Sequence, residues 1–460
     1  MSKAKDLLVL AKDALAAAGE PHAEIYVVAR HRGCARFSVN ELSQHMALES
    51  VEARVRVALG TRVAETSTND LDRAALVASI ARTKELAQRA PETPGWPGFA
   101  DAGAPTPDVP RFEARTANLD DGERAEIAAK AIDRIRDTGL VAAGIVETIV
   151  HHSAVATTSG CARSHDGTSA EMRVWALEDA AGRGASGHAG RLVRNVDDLD
   201  AGALVEEAVR IAKLAKDPGT VDAGTWDVVM EPPAVAELLE WLGMIAFGAP
   251  EIEHGKSPLT DRFGERVSGA AITIVEDPLD ATASGFAIPF DREGSLRSKV
   301  SLIERGIAKG MLYDRLHAAR AKTTSTGSAF VADFGSADGV GSTALHIDGG
   351  SAASSEELIN GMERGLWVRR LHYVNGFVDT RRSVMTGLTR DGCFLVEHGK
   401  VVRAVGNVRF TDSFLDMLAR ADAMTMAREA CACSWTENGT LVVPAIRFRG
   451  VRFTSGSKKV

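Results

Sequence analysis

The order of apolar and polar positions along the chain predicts alternating helices and strands at first, then mostly strands. Leu7, Leu8, Ala11, Leu15 and Ala18 share one helical face near the N-terminus, and Gly19 is placed to end that helix. Three β-rich runs follow, AEIYVVAR, CARFSVN and VEARVRVAL, separated by turn residues. In the last run Val51, Val55 and Val57 fall on one face and Glu52, Arg54 and Arg56 on the other, the period of a half-buried strand. After Asn69 and Asp70 the chain turns helical to about Ala90, with one of those two residues as the cap. Residues 91–120 are rich in Pro, Gly and Ala, which predicts a long irregular surface loop within the first domain. A helix from Asp121 to Asp137 turns Ile127, Ala131, Ile132 and Ile135 inward. Long strands are expected from Val141 to Ala180, broken by turns at Thr158-Ser-Gly and at His165-Asp-Gly. A helix near 201–215 closes this half.

Asp217-Pro-Gly reads as a boundary. Beyond it come the strand WDVVMEP and a helix opening at Pro232-Pro233, where the first turn tolerates proline. Val235, Leu238, Leu239, Leu242, Ile245 and Ala246 give that helix one apolar side. Strand-like runs dominate the remainder, with short helices near 314–322 and 411–422. The pattern predicts an α+β protein of two domains, a mixed α/β N-terminal domain over 1–218 and a β-rich C-terminal domain over 225–460. No internal repeat is visible.

A chain of 460 residues exceeds one simple core, and 45% hydrophobic with 25% charged residues is ordinary globular composition. The net charge of -8 argues against a chain whose main task is gripping nucleic acid. Five cysteines, Cys34, Cys161, Cys393, Cys431 and Cys433, are too sparse for a disulfide framework. No apolar run is long enough to span a membrane and the N-terminus reads as an amphipathic helix, so a cytoplasmic location is expected.

Hydrolytic zinc needs about three N, O or S ligands and an open position, and a helix supplies two histidines only at spacings that share a face. The twelve histidines contain neither HExxH nor HExxxH, and the neighbours His151 and His152 point to opposite faces if they lie on a strand. Cys431-Ala-Cys433 is a CxC without a second cysteine cluster and reads as ordinary small side chains near strands. His254-Gly-Lys-Ser257 lacks the earlier glycine of a phosphate loop, since position 250 is Pro. Gly182-Arg-Gly184-Ala-Ser-Gly187 satisfies GxGxxG, but no convincing helical run follows, which favours a glycine-rich hairpin or loop. A GxSxG elbow is absent. Asp291-Arg-Glu293-Gly294 follows the small-residue run ATASGFAIP and has three readings: an acid–base pair, a carboxylate–arginine clamp or a polar turn.

Taken in order, the segments AEIYVVAR, VEARVRVALGTRVAETSTNDLD, LLEWLGMIAF, GKSPLTDRFGERV, ITIVEDP, GFAIPFDREG, LIERGIAKGMLYDRLHAARAK and GLWVRRLHYVNGFVD resemble the TldD/PmbA family over most of the chain. The resemblance implies a two-domain fold and two kinds of subunit. TldD-like chains carry HExxxH on the helix that here spans about Ala234 to Phe247. This helix has no histidine and offers Glu237, Glu240 and Trp241 instead. The resemblance therefore implies a TldE/PmbA-type chain with no catalytic residue and no cofactor of its own. Its partner would be a TldD-like catalytic subunit that holds zinc, in a heterodimer whose chamber admits unfolded peptides. Asp291, Glu293, Thr324, Ser325, Glu240 and Trp241 are the chamber-lining candidates, with roles in shaping or contacting substrate. Cys433 lies where zinc-bearing members recruit a cysteine ligand and is the one weak metal candidate. Two alternatives stand beside this reading: a stand-alone peptidase using Cys433 and a histidine such as His372, and a non-enzymatic module that binds a regulator. Neither nucleic acid nor membrane is an expected partner.

Overall fold

A computed structural model describes residues 2–109, 111–182, 184–280, 288–330, 339–433 and 439–456. Helix α1 (Lys3–Ala18) starts where the Ser2 hydroxyl accepts from the Lys5 N–H. It ends at Gly19, whose φ of 63° suits a residue without Cβ. Strands β1 (Ala23–Ser38), β2 (Glu41–Leu59) and β3 (Arg62–Thr68) lead to α2 (Arg73–Arg89). Asp72, rather than Asn69 or Asp70, stands at the α2 N-cap. Asp70 instead accepts from the Asp72 N–H at 3.0 Å, a turn that delays the helix. After α3 (Ala114–Ala117), helix α4 (Asp121–Arg136) opens with a reciprocal capping box between Asp120 and Glu123. Strands β4 (Val141–Thr157), β5 (Ala162–Leu177) and β6 (Ser186–Val193) precede α5 (Ala201–Leu214).

The six strands form one antiparallel sheet in the order β3-β2-β1-β4-β5-β6. Ile25, Val27, Val55 and Ala154 pack with Leu7, Leu15 and Ile80 of α1 and α2. Phe37, Val146, Met172 and Val174 pack with α4 and α5. Each of these Val, Leu, Ile, Phe and Met side chains contributes about 1.5–3 kcal/mol through burial. The expected His165-Asp-Gly turn is absent, because β5 runs straight through it in register with β4. Asp166 lies opposite His152 and binds its Nδ1 at 2.5 Å, and it accepts from the Ala4 N–H of α1 at 3.2 Å. A polar group satisfied by tertiary partners has no need of a local turn.

The second sheet takes its strands from residues 224–455. They are β7 (Gly224–Met230), β8 (Ile274–Glu276), β9 (Val300–Glu304), β10 (Ile307–Ala308), β13 (Ala344–Ile347), β14 (Arg364–Asp379), β15 (Val384–Glu397), β16 (Lys400–Ala404), β17 (Arg409–Ser413), β18 (Ala421–Ala432) and β19 (Thr440–Ser455). Between them β11 (Ala329–Phe330) and β12 (Gly339–Val340) form a separate pair. Strands β19, β17, β15, β14 and β7 pair in sequence, and β7 pairs back to β19, closing a ring. Helix α6 (Pro232–Ala246) packs against β14 and β19. Its Leu238, Leu239 and Leu242 are fully buried, and so are Val235 and Ala246. The expected single apolar side understates this helix, since Glu240 and Trp241 are buried as well.

The irregular stretch 91–120 is not wholly a surface loop. Phe99 and Ala100 are buried. Arg315 donates to the carbonyls of Gly98 and Phe99 at 3.3 and 3.2 Å, and Arg163 donates to Ala104 O at 2.8 Å. Backbone carbonyls without a ladder are satisfied here by arginines from distant segments.

Candidate functional site

The Asp291–Glu293 loop is built by its own backbone. Asp291 Oδ1 accepts from the N–H groups of Glu293 and Ser295 at 3.0 and 2.9 Å, and Oδ2 from Ala329 N–H at 3.0 Å. Gly294, at φ 78°, completes the turn with its α-carbon close to Cys161. Glu293 points elsewhere. Its Oε1 accepts from Arg56 Nη1 at 2.8 Å and its Oε2 from the Arg315 N–H at 3.0 Å. Arg56 in turn donates through Nε to Glu24 Oε1 at 2.7 Å. Its guanidinium also lies 5.7 and 5.5 Å from the rings of Trp96 and Phe99. Asp291-Arg-Glu293 thus combines two of its three readings, a turn at Asp291 and a clamp at Glu293. The clamping arginine is Arg56, whereas Arg292 pairs with Glu65 at 3.1 Å.

Burial, then the Glu293 carboxylate, pushes Asp291 up to about 7 from 3.8, against the N–H bonds that favour its charge. Burial likewise holds Glu24 up at about 6 despite Arg56. An acid with a raised folded pKa binds more protons folded than unfolded between the two values. Its contribution to stability is therefore present below 3.8 for Asp291 and lost as pH rises through about 7. The melting temperature of the wild type relative to Asp291→Ala is expected to fall across that window. A difference that stays flat, or rises, would contradict the burial argument.

Asp291 also lines a cavity of about 620 Å³ between the first sheet and the loops around residues 288–297, 328–330 and 341–343. Tyr26, Arg30 and His151 line its sheet side. Burial, before nearby Arg30, drives His151 well below the usual histidine range. Glu293 does not reach this cavity. Thr324 is exposed, and the Ser325 hydroxyl donates to Tyr313 O and accepts from Gly327 N–H, both at 3.1 Å. Ser325 shapes its own turn, and Ser328 of the same loop lines the cavity in its place.

Glu240 belongs to a different place. With Glu237 it faces a cleft that also meets His188, Arg191, Glu429 and Cys431. Recesses of about 90, 240 and 960 Å³ share Arg191 and Glu429 and so form one trough. Strand β6 bounds it on one side and pairs only with β5 among the described residues. Strand β18 bounds it on the other, and beyond Met426, whose N–H donates to Ala352 O at 2.8 Å, it pairs only with β19 among the described residues. The trough thus lies between the edges of two sheets. Burial, then Arg370, lowers His188 to about 3. Burial, then Glu429, pushes the Cys431 thiol well up. Trp241 turns away and meets Phe377 edge-on at 5.0 Å. Cys433 is half-buried just past β18, and His372 is on β14, which is not a neighbour of β18. The structure therefore separates the candidates into an Asp291–Glu293 group and a Glu240 group.

Residues 223–455, half the chain, match the family model described as the PmbA/TldA metallopeptidase C-terminal domain. The chain belongs to the TldD/PmbA family. It is 27% identical over 221 residues to a metalloprotease of Methanothermobacter thermautotrophicus, covering 48% of this chain and 46% of that protein. It is 25% identical over 309 residues to a metalloprotease TldD homolog of Buchnera aphidicola, covering 65% of this chain and 62% of that protein. Each match thus spans less than two thirds of the relative's length. The crystal structure of TldE from Thermococcus kodakarensis superposes with a TM-score of 0.87 at 19% identity, over 96% of this chain and 99% of that one, a likeness of fold.

The family is metalloprotease-like, so the donors on α6 decide whether a metal suits this chain. They do not suit zinc. The helix offers Glu237 and Glu240 with no imidazole. Arg173, Arg191 and Arg370 line the same cleft, and a dication is repelled by guanidinium groups. Among the described residues no three His, Cys, Asp or Glu side chains are placed to hold a metal ion.

Arg56 and Glu24 were not singled out in the sequence. The signal was there, since the two residues stand directly opposite in the β1–β2 register with opposite charge. Only the distant Glu293 makes that pair a buried triad.

Proposed function

We propose that this chain is the non-catalytic subunit of a TldD/TldE-like heterodimeric zinc metalloprotease acting on unfolded peptides. A TldD-like partner supplies the zinc and the bond-breaking groups. This chain contributes part of the chamber wall and shapes substrate access. The observation that carries the reading is the trough beside α6, which has carboxylates and guanidiniums but no imidazole on its helix. It lies between two strand edges, and an edge pairs with extended backbone whatever the side chains. That suits a substrate recognised by being unfolded.

The test is co-purification with a TldD-like chain, followed by metal analysis of each separated subunit. Zinc is expected with the partner alone, and peptide cleavage only with both chains present. Glu293→Ala should leave the zinc content of the complex unchanged. Zinc held tightly by the isolated chain, with chelator-sensitive cleavage, would overturn the assignment, and so would loss of zinc from a folded, assembled complex carrying the Glu293 variant.

A further inference from the structure

The 620 Å³ cavity is separate from the trough and shares no lining residue with its cleft. It lies over the sheet face opposite α1 and α2, because Tyr26, Val28 and Arg30 alternate with Ile25, Val27 and Ala29, which face those helices. Its volume falls within the ~300–1,000 Å³ of clefts that take small ligands. Two kinds of wall meet in it. Val28, Ile288, Phe290 and Phe330 are apolar, while Arg30, Arg292 and Arg297 bring three guanidiniums.

We propose that this cavity binds a small monoanion with an apolar body, namely a carboxylate beside a hydrophobic side chain, as at the C-terminus of a peptide. Two of the arginines are held in place by carboxylates outside the cavity lining. Arg297 donates to Glu276 at 2.8 Å and Arg292 to Glu65 at 3.1 Å. An anchored guanidinium fork matches a planar carboxylate in shape and has little side-chain entropy left to lose. Glu52 and Asp291 stand in the same wall and disfavour a dianion such as a phosphate monoester. Asp291, pushed up to about 7 by burial and Glu293, is partly protonated near neutrality and repels a monoanion less than an ordinary aspartate. This site goes beyond the proposed subunit role and needs neither partner nor cleavage.

The test is calorimetric titration of the full chain alone with N-acetyl-leucyl-phenylalanine, its C-terminal amide, free phenylalanine and phenyl phosphate. The acetylated acid is expected to bind saturably, and the amide about tenfold more weakly or worse. Arg30→Gln should reduce the acid to the level of the amide. Ser50 lines the cavity yet is exposed, so Ser50→Trp should fold normally and abolish binding. It decides the matter if the arginine variant fails to fold. Free phenylalanine binding as tightly as the acetylated acid would support the same chemistry and assign the site to amino acids. Equal binding of acid and amide, tighter binding of phenyl phosphate, or no binding at all would overturn the proposal. Because no partner enters the assay, those outcomes leave the heterodimer reading untouched.

Discussion

Arg56→Leu is expected to destabilise the chain by about 3–5 kcal/mol, the range seen when one partner of a buried ion pair is removed. Arg56 is 6% exposed, and Glu24 and Glu293 are 2% and 3% exposed. Leucine fills much of the space but leaves two carboxylates facing each other in a low dielectric. Arg56 comes from β2, and Glu293 from a loop that follows the first strands of the second sheet. The loss therefore falls on the junction of the two halves. Glu24 sits at about 6 with Arg56 present, and without that cation its pKa can only rise. The destabilisation should be greatest above neutral pH and shrink as pH falls to about 6, below which Glu24 is protonated in both folded proteins and the difference levels off. Urea unfolding at several pH values measures this through the midpoint, with the slope unchanged. A loss below about 1 kcal/mol above neutral pH would show that the triad is solvated, as surface pairs are.

Gly187→Val should be as damaging for a different reason. A Cβ at this position in β6 would lie 2.0 Å from Ala208 O and 2.4 Å from Ala212 N, both backbone atoms of α5. Neither can move without shifting a helix whose Ile211 and Ala212 are fully buried. Destabilisation beyond about 4 kcal/mol is expected, in the tail reserved for disrupted cores. Gly190→Ala is the control on the same strand. Its nearest neighbour is the flexible Arg173 side chain at 3.2 Å, and its cost should be far smaller. Thermal melting of both variants checks the contrast. Since β6 also walls the trough, a folded Gly187 variant would be expected to lose peptide binding there. If Gly187→Val melts with the wild type, the close packing of β6 on α5 is wrong.

Periodicity located most helices and long strands because each spans several turns or alternations of a one-sided core. Helices α4 and α5 and strand β4 begin and end within a residue or two of expectation, and α1 stops at the expected Gly19. The short helices at Ala249–Glu253 and Ser355–Asn360 had too few residues to show a period and were missed. The glycine-rich hairpin or loop was legible ahead of Gly187, and β5 and β6 do pair as a hairpin, yet nothing local showed that Gly187 was needed for contact with α5. The candidate site was legible only as separate pieces. Asp291 stood out through its neighbours in sequence and Glu240 through the family resemblance of its helix, but they line different cavities.

By itself the sequence determined the α+β class, the kinship and the lack of histidine on α6, since all three rest on residue types and their order. Tertiary structure alone decided that Arg56 links Glu24 to Glu293, that the 91–120 stretch is clasped between the two halves, and that two sheet edges flank α6. Those outcomes depend on groups as far apart as 237 positions in the chain. Buried charges and backbone carbonyls must find partners wherever the fold brings them, and local patterns carry no record of which distant partner that is.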